Sequence, residues 1–390
     1  MNPRMKVILI ALVVVIVVAT MVSCCVAVQC GGESEYDSNY PNGYEEYVEP
    51  AYPTYFRAIS AQEGHSSAIT ADGQVFHWGL SVDALAGGET VTARSFHTPY
   101  IMGIEDAVAV FGWRDFSGAV RRDGTVWVWG GNWEERLAPP STLPTQVATL
   151  SNVAYIQVNA HQFAVLQRDG SVYIRGIEGS LERLDIANAT QIAAGPNYML
   201  ILNEEGYVWE VSAARNLPVR LPVGNVRAIA AGSLHAVTAV TRDGFVYQWG
   251  TDMRFEQRDD GELVQFEDVR TPIRVGYVDD VIAVASGNHF TVAVQSNGTV
   301  WGWGMNELGV LGDDREGGDV PYPRILSGLS DIVEISASGA HFVAVERDGT
   351  LWSAGRKFDG VMDSGSQPRM VRDEIMVVGD GLLDGPQVER

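Results

Sequence analysis

Histidines are the residues whose recurrence in this chain most resembles a chemical site. Five of the seven lie eight or nine residues before a glycine of a recurring turn pair: His65, His161, His235, His289 and His341. Imidazole can ligate a metal or act as a base, and a ring of histidines around an axis is conceivable. A residue that recurs with a structural unit is better explained by that unit, as a partly buried ring bonded to a backbone carbonyl. We therefore predict no metal site and no cofactor.

Other catalytic patterns are weak. The chain contains no Gly-x-Ser-x-Gly sequence, and Ser233 near His235 belongs to the repeat register. Residues 313–319 and 259–262 are rich in carboxylates but lack the spacing of a calcium loop, so solvated loops are the favoured interpretation. We predict that the protein is not an enzyme. The rival hypothesis is a glycan-acting enzyme with two converging carboxylates in a central channel.

Large residues that break a repeat are the candidates for binding a partner. They stand where sibling units hold small residues and a histidine, or on variable loops, and Trp, Tyr and Arg commonly anchor protein interfaces. The predicted partner-binding residues are Trp113, Arg114, Asp115, Phe116, Asn197, Tyr198, Trp133 and Arg136. The alternative for Trp113 is that it fills a gap between units.

Cys24 is the candidate for lipid attachment. It follows Met21-Val22-Ser23, which resembles a bacterial lipobox, and Arg4 and Lys6 precede an uncharged run over residues 7–28. As a helix, that run would span about 33 Å, which is enough for an uncleaved single-pass anchor. Lipoprotein, uncleaved anchor and cleaved secretion all remain open. All three place the following residues outside the cytoplasm.

Charge and composition divide the chain into four parts. With 27 basic and 49 acidic residues the formal charge is −22, so we predict no nucleic-acid partner. We predict a signal peptide or anchor over residues 1–30 and an acidic tether over 31–55, which holds six carboxylates, six tyrosines and three prolines. That tether could instead be a recognition tract. Residues 56–381 form the folded body and 382–390 a tail.

One unit recurs seven times in the body. Each copy has an Asp-Gly-like pair, which favours a tight hairpin turn because glycine tolerates positive φ. The tip glycines are Gly73, Gly124, Gly170, Gly206, Gly244, Gly298 and Gly349. Three residues later comes an aromatic in every copy, including Trp127, Trp209, Trp301 and Trp352, next to an aliphatic residue. That pair predicts a strand buried on both faces.

The repeat also predicts how the strands are arranged. Small residues lead the strand before each tip, which suits an innermost position, and a proline often leads a fourth strand. Six intervals over 276 residues give a mean period of 46. We predict an all-β, seven-bladed β-propeller, with a linear solenoid as the alternative. We also expect residues 375–378 to close the ring by pairing with the first repeat, near Ala58.

The repeat resembles that of the regulator of chromosome condensation family. The resemblance rests on Ala231-Gly232 with His235, on residues 243–250, and on the glycine-rich run 301–312. It covers about residues 56–380 and implies a propeller. The family includes a chromatin-bound exchange factor for a small GTPase, ubiquitin-ligase modules and a secreted bacterial inhibitor of β-lactamases. Arg175, Val211 and Ala354 depart from the pattern in the third, fourth and seventh copies.

We predict a monomeric, extracytoplasmic, membrane-attached module that binds a protein through propeller loops. Nucleotide exchange is disfavoured because the chain is acidic and its N-terminal segment predicts export. A structural spacer without a ligand is the remaining rival.

Overall fold

The protein is described by a computed structural model. The structure describes residues 56–62, 65–83, 92–113, 116–130, 141–176, 179–214, 217–232, 237–250, 255–257, 263–265, 269–306, 310–311, 320–339, 341–355 and 376–377. These residues contain strands and turns but no helix. Seven antiparallel sheets of four strands form a seven-bladed propeller.

Each blade takes its four strands consecutively from the chain. The first four blades comprise β1 (Phe56–Ala61), β2 (His65–Thr70), β3 (Val75–Asp83) and β4 (Thr92–Ile101); β5 (Ala107–Trp113), β6 (Phe116–Arg121), β7 (Val126–Gly130) and β8 (Ser141–Gln146); β9 (Val153–Val158), β10 (Phe163–Gln167), β11 (Val172–Arg175) and β12 (Glu182–Arg183); and β13 (Ala189–Ala194), β14 (Tyr198–Asn203), β15 (Val208–Ser212) and β16 (Pro218–Arg220).

The fifth blade contains an inserted hairpin. The remaining blades comprise β17 (Val226–Ala231), β18 (Val237–Thr241), β19 (Val246–Gly250) and β22 (Val269–Arg274); β23 (Val281–Ser286), β24 (Phe290–Gln295), β25 (Val300–Gly304) and β26 (Val320–Ile325); and β27 (Ile332–Ser338), β28 (His341–Glu346), β29 (Leu351–Gly355) and β30 (Met376–Val377). The inserted hairpin pairs β20 (Phe255–Gln257) with β21 (Leu263–Gln265).

The first strand of every blade lies innermost, as its small residues predict. These strands contact one another all the way round, from β1 to β5 and finally from β27 back to β1. Apolar cores fill the spaces between blades; one joins Ile59 and Phe76 of blade 1 to Val343 and Leu351 of blade 7. The closed ring excludes the solenoid alternative.

Each hairpin tip is joined to the start of the next blade. The amide of Ala107 donates to the carbonyl of Gly73 at 2.9 Å, and the same bond recurs at Gly124, Gly170, Gly206, Gly244 and Gly298. The residue before each donating amide is Asp or Asn with φ between 51° and 57°: Asp106, Asn152, Asn188, Asn225, Asp280 and Asp331. Asp and Asn tolerate this left-handed conformation better than most residues.

The prediction for the C-terminal strand was wrong in its partner. Met376 and Val377 pair with Ser353 and Trp352 of the last blade, not with the first repeat. Without β30, blade 7 would have three strands, and its third strand, β29, would be left as an unpaired outer edge. The first repeat already has four strands of its own, β1 to β4.

Candidate interaction surface

The ring has two rims, one formed by the hairpin tip turns and the other by the remaining loops within each blade. Because the strands of a blade are antiparallel, all tip turns lie on one rim together with the starts of the first strands; we call this the turn rim. The loops after the first and third strands of each blade lie on the opposite rim, the loop rim. The predicted partner-binding residues that the structure describes, Trp113, Phe116, Asn197 and Tyr198, lie at the loop rim.

In blade 2, the structure places two of the predicted residues at the ends of paired strands. Trp113 ends β5, is half-buried and packs against the core of blades 2 to 4. It pairs with Phe116, which is 3% exposed and therefore contributes to the core and not to the exposed surface. Several predicted residues lie outside the described residues: Cys24, Arg114, Asp115, Trp133 and Arg136.

In blade 4, the two predicted residues have different environments. Asn197 is exposed, and its carbonyl accepts a bond from the amide of Ala213 at 2.8 Å. Tyr198 is fully buried, and its hydroxyl donates to the carbonyl of Gly232 in blade 5 at 3.3 Å. Burial raises the pKa of Tyr198 well above its usual value, so it remains a neutral donor. Asn197 alone of this pair offers its side chain to solvent.

Asn159 joins the rim loops of blades 3 and 4. It is 1% exposed, and its Oδ1 accepts bonds from the amides of His161 and Gln162 at 2.9 and 2.8 Å. Its Nδ2 donates to the carbonyls of Gly195 and Tyr198 at 2.8 and 3.2 Å. One side chain therefore makes all four of its possible bonds and fixes two neighbouring loops.

A similar link joins blades 6 and 7, where the amide of Asn288 donates to the carbonyl of Gly339 at 2.7 Å. Together with the bonds of Asn159 and Tyr198, it ties the loop rim across blades 3, 4 and 5 and again across 6 and 7. Such loops lose little conformational freedom on binding, which favours a preordered interaction surface.

The recurring histidines join blades through serine hydroxyls. His65 Nε2 lies 2.6 Å from Ser117 Oγ of blade 2, and His341 Nε2 lies 3.0 Å from Ser66 Oγ of blade 1. All four side chains are buried. His161 and His289 are half-buried, and His235 lies outside the described residues. The hydroxyl partners differ from the backbone carbonyls that we expected.

A second imidazole lies against His65, and burial controls its charge. His77 Nδ1 is 3.0 Å from Ser67 Oγ, and its ring centroid is 4.7 Å from that of His65. Burial lowers the pKa of His77 to about 3 and that of His341 to about 4. These rings are neutral at physiological pH and are enclosed by protein, so they serve packing between blades.

One carboxyl occurs among the described innermost strands, that of Glu334 in β27. It is 5% exposed, and its Oε1 accepts a bond from the amide of Ile59 at 3.3 Å. Burial raises its pKa well above the usual value. A glycosidase needs a second carboxyl within reach. The described first strands do not supply one.

Comparison with known proteins supports the resemblance found in the repeat. Family models for the regulator of chromosome condensation repeat match residues 297–345 and 281–310. Residues 281–345 of the chain therefore match the regulator of chromosome condensation repeat. It is 21% identical to the protein pim1 of Schizosaccharomyces pombe, over 75% of this chain and 57% of that protein.

Other similar proteins match different shares of the chain. The E3 ubiquitin-protein ligase HERC2 of Homo sapiens is 26% identical over 84% of this chain, which spans only 8% of that protein. The crystal structure of Prp20p from Saccharomyces cerevisiae is 18% identical, with a TM-score of 0.62 over 78% of this chain and 83% of Prp20p. This structural likeness establishes the fold.

Within the part of the chain that the structure describes, no helix is long and apolar enough to cross a membrane. The segment over residues 7–28 lies outside that part.

Sequence reasoning missed Asn159 and Glu334. Asn159 follows the first strand of its blade, where three other repeats of the family pattern have Gly195, Gly232 and Gly287. That departure was a usable signal. Glu334 stands where four sibling first strands have an alanine, at Ala58, Ala109, Ala228 and Ala283.

Proposed function

We propose that the propeller is a non-enzymatic module that binds a protein partner through its loop rim. The observation that carries this proposal is the set of bonds that join the loops of adjacent blades, centred on Asn159 and Tyr198. A preordered rim lowers the entropic cost of binding, and a ring of loops offers a wide surface. Prp20p, whose structure was described with its binding properties to Gsp1p and histones, is a propeller relative that binds proteins.

We further propose that the module lies outside the cytoplasm, attached to a membrane through residues 1–30. The support is the uncharged run over residues 7–28 and the cysteine at position 24 within it. The net charge of −22 is compatible with this location and unsuited to a chromatin surface.

Site-specific photocrosslinking in intact cells tests the choice of rim. A photoreactive residue replaces Asn197 on the loop rim or, as a matched control, Asn297 on the turn rim; both asparagines are exposed. We expect one discrete crosslinked protein from position 197 and none from position 297. Equal crosslinking from both positions, or crosslinking only from position 297, would contradict the proposal.

A separate experiment tests attachment. The Cys24→Ser variant should shift the size of the precursor and reduce its membrane fraction if the cysteine carries lipid. An unchanged size and membrane fraction would leave the uncleaved anchor. Recovery of the wild-type protein in the cytosol would exclude both forms of attachment.

A further inference from the structure

The outer wall of the ring has a charge opposite to that of the whole chain. The seven outer strands are β4, β8, β12, β16, β22, β26 and β30. They contain no lysine, one carboxylate at Glu182 and six arginines: Arg94, Arg183, Arg220, Arg270, Arg274 and Arg324. The chain as a whole carries −22, so cations are concentrated on this wall.

Three of these arginines occupy the same register in consecutive blades. Arg183 of blade 3 pairs with Tyr173, Arg220 of blade 4 with Trp209, and Arg274 of blade 5 with Tyr247. We call them the arginine row. The same register holds Ile101, Gln146, Ile325 and Val377 in the other blades. The fold therefore does not require arginine at this position.

The guanidinium groups of the row are held in place by the residues that follow the tip glycines. The guanidinium carbon of Arg220 lies 3.5 Å from the ring centroid of Tyr207, and that of Arg274 lies 3.8 Å from that of Phe245. Arg183 Nη2 donates to Ser171 Oγ at 3.2 Å. Stacking on a ring leaves the N–H groups at the guanidinium edge directed outward, where they can bind carboxylates in pairs.

All three arginines of the row are exposed, and among the described residues none of them forms an ion pair. Aliphatic side chains of the same outer segments are also exposed: Leu181 by 36%, Val219 by 61% and Ile273 by 44%. The wall of blades 3 to 5 is thus both cationic and apolar. An acidic segment that also carries aromatic residues matches it.

We propose that the arginine row binds the acidic segment over residues 31–55 of the same chain. That segment holds six carboxylates, six tyrosines and no basic residue. Its carboxylates would pair with the guanidinium edges, and its tyrosines would pack on the exposed aliphatic side chains and arginine faces.

Topology brings the two parts to the same side of the ring. The segment ends one residue before Phe56, which pairs with Thr70 beside the first tip, so it joins the propeller at the turn rim. The arginine row also lies near this rim, because its partners Tyr173, Trp209 and Tyr247 follow the tip glycines by three residues. Twenty-five extended residues reach about 80 Å, enough to pass from blade 1 to blades 3 to 5.

Docking of the segment would fix the orientation of the ring. The turn rim would be held towards the N-terminal part of the chain, and the loop rim would face away from it. The proposal does not depend on whether the loop rim binds a protein.

Hydrogen exchange on the full chain at low salt tests the proposal. One variant carries Glu45→Gln, Glu46→Gln and Glu49→Gln in the segment, and a second carries Arg183→Gln, Arg220→Gln and Arg274→Gln in the row. We expect each to accelerate amide exchange in β12, β16 and β22 at least threefold, with no further gain when they are combined. The control variant, Arg227→Gln with Arg347→Gln, changes two exposed arginines outside the row and should leave exchange in these strands unchanged.

Unaltered exchange in the segment variant would overturn the proposal, whatever the row variant does. Wild-type protection should persist on tenfold dilution, since the contact is within one chain. Its loss on dilution would assign the contact to a second copy and would also overturn the proposal. Raising the salt to 0.5 M should accelerate amide exchange in the wild type as much as the segment substitutions do, because exposed ion pairs are screened.

Discussion

At the scale of single residues, the contact between a tip glycine and the next blade decides which substitutions the ring tolerates. At Gly298, φ is +82°, and a Cβ would lie 2.5 Å from the Cα of Asp331. Asp331 is itself held at a φ of 51°. Neither backbone can move without disturbing the bond between the carbonyl of Gly298 and the amide of Ile332.

We predict that Gly298→Ala destabilises the protein much more than Gly103→Ala. Both glycines have positive φ, which costs alanine about 1–2 kcal/mol, but a Cβ at Gly103 meets nothing within 4 Å. The clash at Gly298 should add about 1–3 kcal/mol. Urea unfolding of both variants measures the difference. Equal losses would show that the close approach to Asp331 relaxes freely.

At the scale of strands, the periodic residues predicted the blades well and the partner of the C-terminal strand poorly. The tip pairs and the aliphatic positions after them specify a hairpin by local chemistry, and Val75, Val126 and Val172 are fully buried as expected. The aromatics beside them are half-buried in six blades, contrary to the predicted burial on both faces. In blade 1, Phe76 alone of these aromatics is fully buried.

The pairing of the C-terminal strand was not predictable from its sequence. Residues 375–378 are apolar and could pair with the outer strand of any blade. The choice between the first and the last blade depends on which blade has an outer strand that is still unpaired. That vacancy is a property of the assembled ring, and single strands do not encode it.

We predict that deleting residues 366–390 leaves the ring closed. The deletion removes β30, the outer strand of blade 7, but keeps the bonds of Ser336 to the amide of Ala61 and of His341 to Ser66. Dye binding should rise and the unfolding midpoint should fall by only a few degrees. The radius of gyration from small-angle scattering should match that of the intact chain. Expansion of the truncated chain would mean that β30 holds the ring shut.

At the scale of the whole molecule, blades 7, 1 and 2 meet through buried ionisable side chains, whereas blades 5 and 6 meet through neutral ones. Gln248 occupies in blade 5 the register of His77 and bonds to Thr238 and Thr291 at 3.2 and 2.9 Å. Its Oε1 also accepts a bond from Trp303 Nε1 at 3.0 Å. Glutamine is therefore a natural replacement for His77.

We predict that His77→Gln makes the protein relatively more stable in acid. Burial lowers the pKa of His77 to about 3 in the folded state, while the unfolded chain takes up a proton below about 6.5. The wild type should therefore lose stability relative to the variant as the pH falls from 6.5 towards 3, by about 1.4 kcal/mol per pH unit at most. Urea midpoints at pH 7, 6 and 5 measure this difference.

We predict that Glu334→Gln changes the pH dependence of stability in the opposite direction to His77→Gln. Burial raises the pKa of Glu334, so the folded carboxyl stays protonated at pH values where the unfolded one ionises. The wild type should lose stability relative to this variant as the pH rises above about 4.5. If the two variants gave pH slopes of the same sign, burial could not be the cause of both slopes.

The candidate surface was only partly accessible to sequence reasoning. Broken repeats directed attention to the loop rim, because a residue that the repeat does not explain needs another reason. The same signal could not separate Asn197, which is exposed, from Tyr198, which is buried against Gly232. Whether a loop residue is buried depends on contacts with the neighbouring blade. For Tyr198 the contact is with Gly232, which lies more than thirty residues further along the chain.

Closure of the ring without any strand shared between the described parts of blades 7 and 1 has a mechanical consequence. At that junction the chain offers side-chain packing and the bonds of Glu334, Ser336 and His341, with no backbone ladder. A force applied between blade 7 and blade 1 would load these contacts before any sheet is sheared. The ring would then open at the junction of blades 7 and 1 while the seven blades stay folded, and it would close again when the tension is released.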